Sequence, residues 1–367
     1  TQRGMLEFLF GAGLMVTAAK AMEPDGPVAV ADLYIRRNLW LLLFGLFDIF
    51  CLLWPGDILH VYALAALALF PFRKLAVRWL IPLGLAFAAF TLVTGAMRYQ
   101  ERSEMQAAVA KEQAHLPLSK DEAKAAKAWH KVEGQIAGND PMIKAEAKKE
   151  AQARASTSMA DYAGWMIGAY LTIAGKGELL FGVLEAFPAM LIGIALWKLG
   201  FIQGRRSTRE YLVVLVLAWG FGMGARYLGC MERLAFVPQP KTIWMTEEFA
   251  RLAVSLGHIA AINLLVRSLA GGRLLAPFRA AGQMAFTLYF MEQVIGIWIL
   301  FSPLGLDLPG GQGWAHLALQ AALVGAGLLV FANLWMRAFA SGPLEWLWRS
   351  LSYGERQPFR RLAATAD

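Results

Sequence analysis

Apolar runs separated by short polar turns set the pattern of this chain. Nine of them fall near 5–22, 38–55, 57–72, 76–97, 179–201, 210–229, 249–268, 281–301 and 314–337. A helix crosses hydrocarbon with roughly 20 apolar residues and bonds every backbone group within itself. The pattern therefore predicts an all-α, polytopic helical membrane protein of about nine transmembrane helices. The run near Thr1 lacks the basic lead and small-residue cleavage site of a signal peptide. The chain starts without Met and is expected to begin inside a longer sequence. The stretch 98–160 breaks the pattern, being rich in Ala, Lys, Glu and Gln. Ser119 and Glu122 have the spacing of a capping box, Asp140 before Pro141 reads as a helix start, and Gly138 closes the preceding helix. Two or three short helices are expected there. Leu116, Leu118, Trp129, Val132, Ile136, Met142 and Ile143 are too few to build a separate core. The reading divides the chain into N-terminal transmembrane helices (1–97), an extracytoplasmic helical insertion (98–160), C-terminal transmembrane helices (161–340) and a cytoplasmic tail (341–367).

Composition agrees with this pattern. Hydrophobic residues make up 57% of the 367 and charged residues 17%, which excludes disordered, coiled-coil and ordinary soluble classes. The net charge of +8 raises the question of nucleic acid, but its distribution follows membrane topology and no nucleic-acid partner is expected. With the first span running inward, the inner segments collect 18 Lys and Arg, from Lys20 to Arg361, against six in the short outer segments. That bias places the C-terminus on the inner, cytoplasmic side of the membrane. Arg36, Arg37, Arg205, Arg206, Arg209, Arg273 and Arg279 make an inner basic rim. Such a rim contacts anionic lipid headgroups, and a phosphate-rich cytosolic donor would use the same charges. Cys51 and Cys230 read as small buried residues, with a disulfide as the alternative. No CxxC, HExxH, Walker or GxGxxG pattern stands in a fitting context, so no metal is expected.

An ionisable side chain inside the membrane costs at least about 2.5–3.5 kcal/mol at the helix centre, so each needs a partner, water or a task. Asp48, Asp57, His60, Glu185, Arg226, His258 and Glu292 fall within the runs. At 1.5 Å per residue, Asp48 and Glu185 lie roughly 9 Å and Arg226 roughly 6 Å from the outer boundary. Asp57 sits at the boundary, and His258 and Glu292 lie near the midplane. An outward-opening polar cavity would satisfy the set. Trp54-Pro55-Gly56-Asp57 reads as a tight turn, with Asp57 as a helix cap or as the carboxylate partner of His60 three residues on. A carboxylate beside an imidazole fixes its tautomer and raises its basicity, as a general base requires. The structural alternatives are close helix packing for His258 beside Gly257, a salt bridge to Glu232 or another outer carboxylate for Arg226, and a hydrogen bond near the Pro188 kink for Glu185.

Several words in the chain resemble those of the YeiB family of bacterial inner-membrane proteins. They are Leu9-Phe-Gly-Ala-Gly; Arg36-Arg37-Asn-Leu-Trp through Phe-Gly-Leu-Phe47; Trp54-Pro-Gly-Asp-Ile-Leu; Leu191-Ile-Gly-Ile-Ala-Leu-Trp; Gly282-Gln-Met-Ala-Phe-Thr-Leu-Tyr289; and Gly342-Pro-Leu-Glu-Trp-Leu-Trp348. The resemblance spans nearly the whole chain apart from 98–160. Where many family members carry His after the Phe-Gly-Leu stretch, this chain has Asp48, and the family's earlier Asp-Arg-Gly segment is missing. The YeiB family is in turn distantly similar to transmembrane acyltransferases, which pass an acyl group from cytosolic acyl-CoA to an extracytoplasmic sugar. That similarity implies acyl-CoA as donor and a small-molecule, sugar or lipid-linked acceptor, with membrane lipids as surroundings. In these terms His60 and Asp57 are the expected catalytic pair. Asp48, Glu185, Arg226, His258 and Glu292 are the expected substrate-binding set, and Arg36, Arg37, Arg205 and Arg206 the donor-binding one. A transporter with a polar cavity in the bundle and a non-catalytic lipid-binding protein remain as competing classes.

Overall fold

The computed structural model describes residues 2–19, 29–138, 141–156, 158–302, 305–306, 308 and 312–361. Lys20 and the expected helix start at Asp140 lie outside the described residues. In chain order the helices are α1 (Gln2–Thr17), α2 (Ala29–Phe50), α3 (Leu59–Leu67), α4 (Val77–Gln113) and α5 (Lys120–Ile136). There follow α6 (Pro141–Ala155), α7 (Met159–Gly175), α8 (Glu178–Lys198), α9 (Thr208–Leu234) and α10 (Ile243–Val266). Last come α11 (Leu269–Gln283), α12 (Ala285–Gln293) continued by a π-helical stretch Val294–Leu300, α13 (Trp314–Ala338) and α14 (Pro343–Tyr353). No strand occurs among the described residues, whose β-structure is a single isolated bridge, Phe339 to Arg360. The protein is an all-α, multi-pass membrane protein. Only 17% of the most apolar window of α9 and 11% of that of α13 is buried, although both are strongly hydropathic. Leu212, Val216, Leu217, Phe221, Leu319, Leu323 and Val330 stand exposed along them. Apolar stripes this long match a lipid surrounding.

Five helices are long and apolar enough to cross: α4, α8, α9, α10 and α13, with the bent pair α11–α12 as a sixth. The expectation of about nine spans is thus larger than the number of such helices among the described residues. The run at 57–72 supplies only the nine-residue α3 and a 3-10 turn, Phe70–Lys74. α3 ends at Leu67, where Pro71 has no N–H to bond the Leu67 carbonyl and would clash with it in a continued α-helix. Leu59, His60, Tyr62, Ala63, Ala65 and Ala66 are all buried, so this helix is apolar because it lies in a core. Hydropathy alone does not separate the two cases. Conversely, the apolar α7 was missed, because Asp161 and three glycines weaken its pattern. The expected break near residue 97 is also absent. α4 runs 37 residues, about 55 Å, against a hydrocarbon core of about 30 Å. Its residues change from apolar to polar with no Gly or Pro between Met97 and Gln113 to end it. The solvent changes along this helix while the backbone does not.

The chain forms two compact units, each assembled from three stretches. The first comprises Thr1–Ala12, Leu75–Ala151 and Pro188–Leu264. Its core holds Phe8, Ala88, Ala189, Leu196, Phe201, Tyr211, Leu252 and Ile259. Glycines let backbones approach here as membrane helices require: a Cβ on Gly193 would stand 2.1 Å from the Phe8 carbonyl oxygen, and one on Gly95 the same distance from that of Trp244. Beyond the apolar part of α4, α5 folds back on it through Ala108, Val109 and Ala126. The expected capping box is present, with Ser119 Oγ accepting from Glu122 N and Glu122 Oε2 accepting from Ser119 N. Lys111 reaches Glu122 at 2.5 Å. That ammonium and the Ser119 donors hold the Glu122 carboxyl down at about 2. His130 bridges Glu112 at 2.8 Å and Glu133 at 3.3 Å.

The second unit comprises Gly13–Lys74, Gln152–Phe187 and Leu265–Asp367. One of its cores gathers Leu53, Tyr162, Met166 and Ile297; another gathers Met284, Ala332 and Met336. Its defining irregularity is the 74° bend between α11 and α12. At that break the first N–H groups of α12 lose their intrahelical partners. Glu345 of α14 supplies them. Its Oε1 accepts from Phe286 N at 2.7 Å and Thr287 N at 3.0 Å, and its Oε2 accepts from Thr287 Oγ1 at 2.5 Å. A carboxylate at a helix N-terminus also meets the positive end of the helix dipole. Gly342 leaves the room, since a Cβ there would sit 2.1 Å from Glu345 Oε2.

Two outcomes are expected. Glu345→Ala strands three donors and should destabilise the protein by about 1–3 kcal/mol, with Glu345→Gln recovering part of the loss. An unchanged thermal midpoint of the Ala variant in detergent would show that the cap is not formed. His130 is raised above its usual value by its bond to Glu112 and then by that to Glu133. Its folded-state value therefore exceeds the unfolded one of about 6.5. The bridge is fully present below pH ~6.5 and is lost as pH rises through the folded value. NMR titration of His130 should give a midpoint above about 6.5 that falls back in Glu112→Gln; a wild-type midpoint at or below 6.5 would contradict the bridge.

Candidate functional site

Three buried ionisable side chains of the second unit, Asp48, Asp57 and His60, lie at the turn between α2 and α3. That turn is tight. Trp54 N donates to Asp48 O at 3.1 Å, Leu53 takes a positive φ of 61°, and Trp298 Nε1 donates to Leu52 O at 3.0 Å. Asp57 follows and is 4% exposed. Its Oδ2 accepts from His60 N at 2.9 Å and from His60 Nδ1 at 2.7 Å. The two readings of Asp57, helix cap and imidazole partner, are both realised by one oxygen. Its Oδ1 accepts from Tyr289 Oη at 2.9 Å, so α12 is tied to the same carboxylate. The His60 ring meets Tyr170 of α7 edge-on at 5.8 Å. Gly45 of α2 makes the approach possible: a Cβ there would stand 2.5 Å from His60 N and 2.6 Å from Asp57 Oδ2.

Asp48 completes the group. It is fully buried, and neither carboxylate oxygen has a hydrogen-bond partner of good geometry among the described residues. Asp57 and Tyr289 are the groups that act on it electrostatically. Two carboxylates and one imidazole in a buried setting can hold, take up and pass on protons.

The remaining residues expected at one cavity stand on helices other than α2 and α3. Glu185 is half-buried on α8, and Glu292 is exposed on α12. Arg226 and His258 belong to the first unit. His258 bonds the carbonyl of its own helix, Val254 O, at 2.6 Å and faces Trp219 edge-on at 5.4 Å. That matches the helix-packing reading, as a Cβ on Gly257 would lie 2.1 Å from Trp219 Cδ1. Arg226 does not pair with Glu232. That carboxylate instead caps α10, accepting from Thr242 N at 2.9 Å, Thr242 Oγ1 at 2.7 Å and Ile243 N at 3.1 Å. Cys51 and Cys230 are free and exposed, which corrects both the buried and the disulfide readings.

The four arginines expected to hold a donor have separate duties. Arg36 pairs with Asp32 one turn back. Arg37 stacks over Trp348 at 4.4 Å, and Trp348 Nε1 donates to its carbonyl at 2.9 Å. In the first unit, Arg206 Nε donates to Leu199 O at 2.7 Å and its guanidinium reaches Glu210 at 3.3 Å, while Arg205 packs under Gly200. Arg37 lines a cavity of about 360 Å³ in the second unit, and Arg206 one of about 440 Å³ in the first. His60 lines neither of these.

Sequence reasoning missed Tyr289 and Tyr170, whose spacing carries no signal until α12 and α7 are packed. It also missed Glu7, Glu248 and Arg251 in the first unit. Arg251 bonds Glu7 and, at 2.6 and 2.8 Å, both oxygens of Glu248, with all three residues buried. Here a signal existed. Glu7 is the one acidic residue in its apolar run, and Glu248 and Arg251 stand at i and i+3. Placing the helix start near 249, when α10 begins at Ile243, hid the pair.

The words quoted from the sequence come together in this architecture. Glu345 from the Gly342 word caps the helix of the Gly282 word, Tyr289 from the latter holds Asp57 of the Trp54 word, and Arg37 stacks on Trp348. Residues 196–355 match the family described as protein of unknown function (DUF418). The uncharacterized protein YxaH of Bacillus subtilis (strain 168) is 28% identical over 373 residues, 97% of this chain and 80% of that protein. The uncharacterized protein YeiB of Escherichia coli (strain K12) is 28% identical over 169 residues, 44% of this chain and 43% of that protein. An uncharacterized 39.9 kDa protein of Bacillus acidopullulyticus is 28% identical over 118 residues, 30% of this chain and 33% of that protein. No solved structure matches. These matches make the chain similar to YxaH and YeiB, with a DUF418-like stretch at residues 196–355, consistent with the resemblance read from its sequence.

Proposed function

We propose that the protein is an acyltransferase of a bacterial inner membrane, with its C-terminus cytoplasmic, passing an acyl group from acyl-CoA to the hydroxyl of an extracytoplasmic or lipid-linked acceptor. One observation carries this reading: His60 Nδ1 is engaged by Asp57 at 2.7 Å. That bond fixes the tautomer and leaves Nε2 to take a proton. Nε2 takes the acceptor's hydroxyl proton as the acceptor oxygen attacks the thioester carbonyl. The carbon–sulfur bond then breaks, and the imidazolium returns the proton to the departing thiolate. Asp57 orients the ring and stabilises its cationic form. Tyr289, bonded to the other oxygen of Asp57 at 2.9 Å, keeps that carboxylate aimed. Asp48 is the second carboxylate beside the pair and supplies polarity where the acceptor hydroxyl would arrive. Of the basic residues expected to meet the donor, Arg36 and Arg37 lie in the same unit as His60.

A second reading, transport of a small solute, is favoured by a different observation. The 74° break at Met284 and the π-helical stretch Val294–Leu300 interrupt one apolar span. Interrupted helices of this kind build substrate sites in transporters, and π-helical turns cluster at functional positions.

The two readings separate in proteoliposomes. Under acyl transfer, His60→Ala should lower the transfer rate by roughly 10²–10⁴-fold while leaving CoA binding intact, with a smaller loss in Asp57→Asn. Full transfer activity in His60→Ala would move the base elsewhere. Solute flux without turnover of acyl-CoA by the wild type would favour transport instead.

A further inference from the structure

We infer that the second unit holds a binding site for a phosphate group, formed by Arg279, Arg337 and Arg361 with Gln283 and Asn333. These residues line one cavity of about 390 Å³. They come from three parts of the chain: the last turns of α11, the last turn of α13, and the tail beyond α14. The tail is not there by chance of a loose end. Arg361 N donates to Ala338 O at 3.2 Å, and Ala340 N donates to Phe359 O at 2.9 Å. Phe359 packs on Phe339 at 4.8 Å, Trp346 at 5.1 Å and Trp335 at 6.1 Å. The aromatic cluster therefore carries Arg361 back to the end of α13, beside Arg337.

The charge of this cavity is one-sided. No carboxylate lines it, and none of the three guanidiniums has an acidic partner among the described residues. An arginine at a helix C-terminus commonly serves the helix dipole, which accounts for Arg279 or Arg337 singly. It does not account for a third guanidinium brought in by the folded tail. Three planar forks facing one space match an anion whose oxygens point in several directions. A tetrahedral phosphate group meets that requirement, whereas a lone carboxylate offers two oxygens in one plane. Asn333 Nδ2 is already committed to Pro277 O and Leu329 O at 3.0 and 2.8 Å, so Asn333 only walls the cavity and the donors left for the anion are the three guanidiniums and the Gln283 amide. Gln283 is shared with the adjoining cavity of about 360 Å³, which Arg37, Arg349 and Trp348 line. The remainder of a phosphate-bearing molecule would have space there. This inference stands whether or not His60 is a base.

Phosphate of this kind comes from a soluble nucleotide or from a lipid headgroup, and the test separates the two. The whole chain in nanodiscs would be titrated with adenosine 3′,5′-bisphosphate, and its lipid retention read by native mass spectrometry from phosphatidylglycerol-containing and all-phosphatidylcholine discs. Arg279→Gln/Arg337→Gln/Arg361→Gln would be compared with Lys127→Gln/Lys131→Gln/Lys148→Gln, which removes equal charge from α5 and α6. The expected result is about tenfold or greater weakening by the arginine triple alone, for the bisphosphate, for phosphatidylglycerol, or for both. Weakening for the bisphosphate assigns a nucleotide; weakening for phosphatidylglycerol alone assigns a lipid. Equal binding by both triples, or no binding of either probe by the wild type, would overturn the site. Size-exclusion elution of the arginine triple at the wild-type position, with single variants as a second series, keeps a folding defect from imitating a loss.

Discussion

A helix broken inside a packed interior must find partners for the N–H groups that its break sets free, because packing shuts out the water that would bond them. The break between α11 and α12 meets this demand with one side chain, Glu345. Much of the second unit's polar structure follows from that bond. α12 is only nine residues long; Glu345 of α14 holds its first turn, and Tyr289, a few residues on, reaches Asp57. Asp57 in turn starts α3 and orients His60. A carboxylate on one helix thus sets the position of a hydroxyl, which sets a second carboxylate, which sets an imidazole.

The same constraint explains why the buried charges are clustered. A lone charge out of water is expensive, and a pair repays the cost only when the remaining lone pairs and protons are also bonded. In the first unit, Arg251 answers Glu7 and Glu248 within a set of buried side chains. In the second unit, three donors answer Asp57. Asp48 departs from this rule, with both oxygens buried and unbonded among the described residues. A group left in that state is a mark of function more often than of stability.

Close backbone approach is the complementary device. Gly193 beside Phe8, Gly95 beside Trp244 and Gly45 beside His60 occur where a single methyl group would collide with backbone or with the polar pair. Between lipid and helix the hydrophobic effect gives no preference, so van der Waals fit and internal hydrogen bonds carry the association. For that reason glycines and polar residues, rather than the many Leu and Phe, determine which helices meet.

The sequence by itself determined the all-α membrane class, the capping box of α5, the resemblance to YeiB, and the pairing of Asp57 with His60. These are local properties: apolar run length, residues three apart on one helix, and short words. It misread α3 as a span, because an apolar run is compatible with burial in lipid or in protein, and it ended α4 where polarity changed although the backbone continued. Tertiary structure alone decided that Tyr289 and Tyr170 join His60, that Glu345 caps α12, and that Arg361 returns to Arg337. In each case the partners lie tens to hundreds of residues apart on different elements of the chain. Their meeting depends on the angle of a break and the fit of helix surfaces, which no local pattern encodes.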